Sequence, residues 1–311
     1  VRPGDLLGLS GYSRVRNMQL AVPLALGCDM IVAVDDDEVV TDPRFLERAG
    51  EGLGSTIDGH RVDGSGGYYL QDEAGRILLQ APPGSEHAPN LFDRKAVIMN
   101  EGTQALEARP GRIVPTPFCF GGNMVFAPEL AASVCFDPSI TRGEDIDYLI
   151  NARLAGRWFF MNKDLRILHL PPKGGSYKDV AFHKVVQDVL RFVYEREKLV
   201  RWREIGGVEE VTAQDLDPYP GEFLGSNLAS DARAVIEHII DQTPETDRAA
   251  LGVAASADEF LNEARSRADE GVRMYRSFQH AWGEMMAQLR QDASLTDYLI
   301  NRMSVGSPSA A

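Results

Sequence analysis

Met30-Ile31-Val32-Ala33-Val34-Asp35-Asp36-Asp37-Glu38 sets an apolar run directly against four carboxylates. The run is rich in β-branched residues and has no polar alternation. That pattern predicts a strand buried on both faces, in a sheet covered by helices. The carboxylates then fall where the strand leaves the sheet. In open α/β sheets, ligands bind outside the carboxyl ends of the strands. Acidic oxygens crowded there repel one another unless a cation offsets them. Mn²⁺ and Mg²⁺ take such oxygens and also grip phosphate. The stretch therefore proposes a metal–diphosphate site. The bland alternative is an acidic turn after a strand, with Asp42-Pro43 opening the next helix.

Composition limits the function classes. The chain has 311 residues and a formal net charge of −14, which argues against nonspecific binding to nucleic acid or to an anionic membrane surface. No apolar stretch reaches the roughly 18 residues of a membrane span. Residues 1–5 do not have a signal-peptide pattern, and Val1 in place of an initiator methionine suggests a piece of a longer protein. Cys28, Cys119 and Cys135 lack metal-type spacing and are expected as small core residues in a reducing cytoplasm.

Working outward, Ser13–Leu26 reads as a helix with Pro23 inside it and Gly27 as its stop. Arg14 and Arg16 in its first turn oppose the helix dipole, so a nearby carboxylate or phosphate is one reason for them; solvation is the other. A helix over about 43–53 and a Gly-rich loop over 54–67 follow. Tyr68-Tyr69-Leu70 and Ile77-Leu78-Leu79 look like the arms of a hairpin. Gly121-Gly122-Asn123 allows close backbone approach, or is a β-bulge. Gly143-Glu144-Asp145 opens a helix, where acids suit the dipole but one could also act as a general base. Trp158–Phe160 and Leu165–Leu168 form a strand or strand pair that His169 closes, as a metal ligand or a structural residue. Lys173–Lys178 reads as a basic loop able to fold over a diphosphate or as a plain connector, and a helix follows to Trp202. Glycines and prolines over 204–227 mark a boundary, giving domains 1–203 and 204–311. Beyond it, Ala232–Asp241 is one helix, and Ser256-x-x-Glu259 caps a long one to about Gln291. Its Met and aromatic stripe is packing surface, for the catalytic domain, an acceptor site or a homo-oligomer. The tail from Ser304 is expected to be disordered.

The order of these parts resembles the family 2 glycosyltransferases of the GT-A fold, over about residues 8–172. The carriers are Arg16-Asn17, the strand into Asp35-Asp36-Asp37, Gly121-Gly122-Asn123, Gly143-Glu144-Asp145 and His169-x-Pro171. The resemblance implies an α/β fold, a GT-A-like mixed sheet flanked by helices; the helical pattern beyond residue 204 adds an all-helical C-terminal extension that the resemblance does not cover. Asp35-Asp36-Asp37 would be the DXD element, with Asp37 on Mn²⁺ or Mg²⁺ and Asp35 toward the nucleoside. Arg16, Asn17, Asp36 and Glu144 would line the donor pocket, and Gly121, Gly122 and Asn123 its floor. Asp145 would be the catalytic base, and His169 a further metal ligand or diphosphate contact. Family members open with a strand and a Pro-x-Tyr-Asn-type turn for the base; nothing before Ser10 supplies it.

The expected activity is metal-dependent transfer of a sugar from a UDP- or GDP-sugar to an acceptor hydroxyl, with inversion. A non-catalytic binding or scaffold module of the same fold is the alternative. A nucleotidyltransferase would show an early Gly-rich phosphate loop with a basic residue, and none is present.

Overall fold

The computed structural model describes residues 1–170 and 177–305. Most of the loop expected at Lys173–Lys178, and the tail beyond residue 305, lie outside them. In chain order the helices are α1 (Pro3–Leu6), α2 (Tyr12–Ala25), α3 (Phe45–Gly50), α4 (Lys95–Ala108), α5 (Pro128–Ser133), α6 (Glu144–Leu154), α7 (Tyr177–Val200), α8 (Gly221–Leu224), α9 (Leu228–Gln242), α10 (Glu245–Leu251), α11 (Ala257–Leu289) and α12 (Ala293–Val305). The strands are β1 (Ile31–Ala33), β2 (Glu38–Val39), β3 (Thr56–Ile57), β4 (His60–Arg61), β5 (Gly64–Leu70), β6 (Ile113–Pro115), β7 (Met124–Phe126) and β8 (Phe159–His169). The fold class is the expected one: a mixed sheet flanked by helices, followed by a helical extension.

The main sheet runs β1-β7-β5-β8-β2, with β6 also paired to β8. Among the described residues of this sheet, only β5 and β8 pair in parallel, and the other pairings are antiparallel. β1, β5 and β8 therefore point the same way, and their carboxyl ends deliver the acidic stretch, Tyr69 and His169 to one edge of the sheet. β7 runs against them, which brings Gly121-Gly122, at its start, to that same edge.

β1 is shorter and less enclosed than its sequence predicts. Ile31 and Ala33 pack under α2, while Met30 and Val32 pack against the cluster around Phe45 and Ala49 of α3. Both faces are covered, but Val34 is already exposed.

Two expectations about residues 54–79 are overturned. The supposed loop contains the β3–β4 hairpin, turned by Asp58 and Gly59 at positive φ, and most of β5. Glycine suits β5 because its neighbours crowd it: a Cβ on Gly67 would meet the Leu165 carbonyl oxygen at 1.9 Å, and one on Gly64 the Phe159 ring at 2.6 Å. Residues 77–79 form no strand; the Asn100 side chain takes both the Leu79 N–H and the Leu79 carbonyl. Trp158 apart, the two segments expected as a strand or strand pair are one continuous strand, β8.

The C-terminal helices pack into the same cores as the sheet. Phe278, Trp282 and Met286 of α11 join Leu20 and Leu24 of α2, Leu130 of α5 and Phe126 of β7 in one buried cluster. The aromatic and Met surface expected on this helix is thus used within the chain. Ser256 caps α11 as predicted, its side chain accepting the Glu259 N–H. Among the described residues, no helix is long and apolar enough to cross a membrane.

Candidate active site

The carboxyl ends of β1, β5 and β8 open into a cavity of about 1010 Å³. Its lining includes Arg16, Asp35, Asp36, Asp37, Tyr69, Phe120, Gly121, Glu144, Asp145 and His169. Arg16 and His169, 153 positions apart in the chain, thus line one cavity.

β2 begins at Glu38 and pairs it with His169. This pairing, with the Leu170 N–H donating to the Asp37 carbonyl at 2.8 Å, holds the acidic turn against the end of β8. His169 Nε2 consequently lies 3.5 Å from Asp37 Oδ2. The His169 ring stacks on Tyr69, which stacks on Phe120. That aromatic floor fixes the imidazole plane.

Arg16 is the link across the cleft. Its Nη2 lies 2.8 Å from one Asp35 carboxylate oxygen and 3.0 Å from the other, and its Nε lies 3.4 Å from Glu144 Oε1. Burial works to lower its pKa, but Asp35, Glu144 and Asp145 raise it further. Arg16, near the start of α2, is therefore explained by carboxylates, not by solvation. Glu144, buried at the start of α6, is raised by burial and by Asp145, which outweigh Arg16.

Asp145 is half-buried on the cavity wall, and one of its oxygens accepts the Ile146 N–H at 2.9 Å. A Cβ on Gly121 would lie 3.0 Å from Arg16 Nη2 and 3.6 Å from Asp145 Oδ2. Gly121 thus lets the backbone pass beside both groups.

Three candidates sit behind the cavity wall. Asn17 is fully buried; its amide donates to the Leu6 and Phe136 carbonyls and its oxygen accepts the Phe136 N–H. With those bonds made it is a brace between α2 and the chain before α6. Asn123, also fully buried, donates to the Tyr68 and Leu165 carbonyls and ties β7's entry to β5 and β8. Gly122 donates its N–H to the Tyr69 hydroxyl at 2.7 Å, and a Cβ on it would lie 2.0 Å from Glu38 Oε1. These three shape the wall without lining it.

The sequence alone gives Glu38 no site role, yet its carboxylate accepts the Asp35 N–H at 2.8 Å and braces the acidic turn. Burial pushes its pKa up, against the pull of the Tyr69 hydroxyl and the Asp35 N–H. Asp35, Asp37 and Glu38 each bring one carboxylate oxygen within 4.8 Å of the other two. A set of hard oxygens with one imidazole beside it fits Mn²⁺ or Mg²⁺.

Lys95, Arg142, Lys184, Asp188, Arg191 and Tyr219 line the cavity too, and the sequence alone gives none of them a site role. Lys184, Asp188 and Arg191 stand at i, i+4 and i+7, a same-face spacing that could have revealed them.

No protein-family model matches the chain, and no curated protein matches it. Four chains of known structure do. One is the mannosyltransferase PcManGT from Pyrobaculum calidifontis, in complex with GDP-Man and Mn2+, at TM-score 0.42 and 15% identity; the match covers 90% of this chain and 67% of that one.

Proposed function

We propose that this chain is a metal-dependent glycosyltransferase that moves a sugar from a UDP- or GDP-sugar to an acceptor hydroxyl with inversion. The observation that carries the reading is that one cavity is lined both by the Asp35–Asp37 turn with His169 and by Asp145. Asp37, Glu38 and His169 would hold Mn²⁺ or Mg²⁺, which when bound offsets the charge growing on the leaving diphosphate. Asp35, fixed by Arg16, faces the nucleoside, and Asp36 stands at the exposed rim.

Asp145 takes the acceptor's hydroxyl proton. The acceptor oxygen bonds to the anomeric carbon as the carbon–oxygen bond to the diphosphate breaks on the opposite face. That electron pair leaves with the nucleoside diphosphate. The roles given by resemblance to Asn17, Gly122 and Asn123 become supporting ones in this reading. The three free cysteines fit a reducing compartment such as the cytoplasm.

Two variants test the assignment. Asp37→Ala is expected to abolish transfer and to weaken Mn²⁺-dependent binding of GDP or UDP. Asp145→Asn is expected to lower turnover by about 100-fold or more while that binding persists. Calorimetry and a transfer assay read the two separately. Turnover retained in either variant would sink the roles, and no nucleotide binding by the wild type would favour a non-catalytic module.

A further inference from the structure

The far side of the same cavity carries charge that the transfer step does not use. Lys95 opens α4, Arg142 precedes α6, and Lys184, Asp188 and Arg191 follow one another along one face of α7. Asp188 is the anion they share: Lys95 Nζ lies 2.6 Å from it, Arg191 Nη2 3.4 Å and Arg142 Nε 3.7 Å. Arg191 has a second carboxyl neighbour, Glu195, at 3.8 Å. Burial pushes Glu195 up to about 8, so it keeps its proton near neutrality. Lys95, Arg142 and Arg191 thus converge on the single carboxylate of Asp188, in a chain whose net charge is −14.

Arg191 is the one of these cations that is buried, and a cation held out of water is costly unless a counter-charge offsets it. Burial, with Arg191 and Arg142, brings Lys95 down to about 8 against the pull of Asp188, whereas, against burial, Tyr219, Glu195 and Asp188 hold Arg191 above its ordinary value. Arg191 is only 4% exposed, and neither its Nε nor that of Arg142 has a hydrogen-bond partner. Its Nη2 donates to the Tyr219 hydroxyl at 3.0 Å, which anchors the guanidinium at the cavity wall. A Cβ on Gly143 would lie 2.0 Å from Arg191 Nη1. The guanidinium thus lies directly against the residue that precedes α6, two positions before Asp145.

We propose that Lys95, Arg142, Lys184 and Arg191 form a subsite for an anionic acceptor, a hydroxyl compound carrying a phosphate or carboxylate group. Guanidinium forks and ammonium groups match both anions. The cations come from α4, α7 and the turn before α6, none from the elements that surround Asp37. They abut the helix that carries the base, and what lies beside the base is the acceptor. Naming the ligand an acceptor rests on the sugar-transfer reading; anion binding stands apart from it.

The test titrates the full chain with inorganic phosphate and, separately, with acetate, by calorimetry and without Mn²⁺ or nucleotide. Saturable binding of at least one is expected, weakened about tenfold or more in Arg142→Gln and in Lys184→Gln. Both side chains reach solvent, so these variants are expected to fold; Arg191→Gln adds the buried member, with a melting curve to check it. Asp37→Ala should bind the anion as the wild type does. Phosphate alone points to a phosphate monoester and acetate alone to a carboxylate, and either supports the subsite. No saturable binding, or binding untouched by Arg142→Gln, overturns it. So does displacement of phosphate by Mn²⁺ with GDP or UDP, which would give these cations to the donor. A wild type that binds phosphate but no Mn²⁺–nucleotide would defeat the sugar-transfer reading instead.

Discussion

Gly122 shows how one hydrogen atom in place of a methyl group sets the acidic turn. The Glu38 carboxylate occupies the space a Cβ would take, 2.0 Å from Oε1 and 2.2 Å from Oε2. Gly122→Ala therefore displaces Glu38. Glu38 is a flexible chain and can swing aside, so the cost falls on the Asp35 N–H it holds rather than on the fold. The expected result is a melting temperature close to the wild type with Mn²⁺ affinity reduced about tenfold, in keeping with the loss of a ligand-orienting contact. Wild-type Mn²⁺ affinity in the variant would remove Glu38 from the site. Gly67→Ala differs in kind. Its Cβ would strike the Leu165 carbonyl oxygen at 1.9 Å, and backbone in the middle of a sheet cannot swing. A loss of about 3 kcal/mol is expected in denaturant unfolding, at the upper end for overpacking. The acids and His169 were legible in the sequence because their type states their chemistry. Glu38 was not distinguished from its three neighbours, since only the fold decides which carboxylate turns inward. Asn17 and Asn123 were misplaced for the converse reason. A polar residue in a motif looks the same whether it meets a ligand or braces backbone groups.

At the scale of elements, the periodic helices were legible and the glycine-bearing strand was not. α2, α7, α9 and α11 follow their apolar spacing and stop signals closely. β5 reads as a loop because glycine and serine fill its first half, and those small residues are what its crowded neighbours demand. The Asp58-Gly59 pair was a usable hairpin signal that the surrounding polarity obscured. α7 shows what spacing alone cannot reveal. Its polar residues do not all face water: Asp188, Arg191, Glu195 and Lys198 are buried. Glu195 makes a pH prediction. Its pKa is raised from 4.5 to about 8, so between those values the native state holds a proton the unfolded chain has released. Native stability then falls as pH rises through that window, by at most about 1.4 kcal/mol per unit. Glu195→Gln removes the proton exchange and should flatten the slope. Thermal melts at pH 5 and pH 8 are expected to differ less in the variant than in the wild type. An unchanged difference would mean that Glu195 ionises normally.

On the scale of the whole molecule, the question is whether the C-terminal helices are an appendage or part of what holds the cleft. The composition change over 204–227 argues for a boundary, but burial argues for one unit. Lys198 of α7 lies 2.7 Å from Asp147 of α6 and 2.8 Å from Asp137, and its ammonium sits 4.2 Å from the ring centre of Tyr275 on α11. Tyr219, from the supposed linker, lines the cavity and anchors Arg191. Trp282 is fully buried between α5 and α2, and its indole N–H donates to the Ala131 carbonyl at 2.9 Å. Trp282→Ala removes that packing and leaves a cavity, at a cost of about 3–5 kcal/mol. The orphaned carbonyl adds about 1 kcal/mol more. Against a total stability of about 5–15 kcal/mol, that loss is a large fraction. If the extension shares the core, the whole chain should lose it together. Calorimetry of the wild type should give one transition, and the variant one transition at lower temperature, with nucleotide and phosphate binding lost along the same curve. Two transitions in the wild type, with only the upper or the lower one moved by Trp282→Ala, would restore a separate helical domain. Trp282→Phe keeps most of the buried ring and gives up the indole donor, so its shift should be the smaller of the two. A shift as large as that of Trp282→Ala would place the weight on the hydrogen bond to Ala131 rather than on packing.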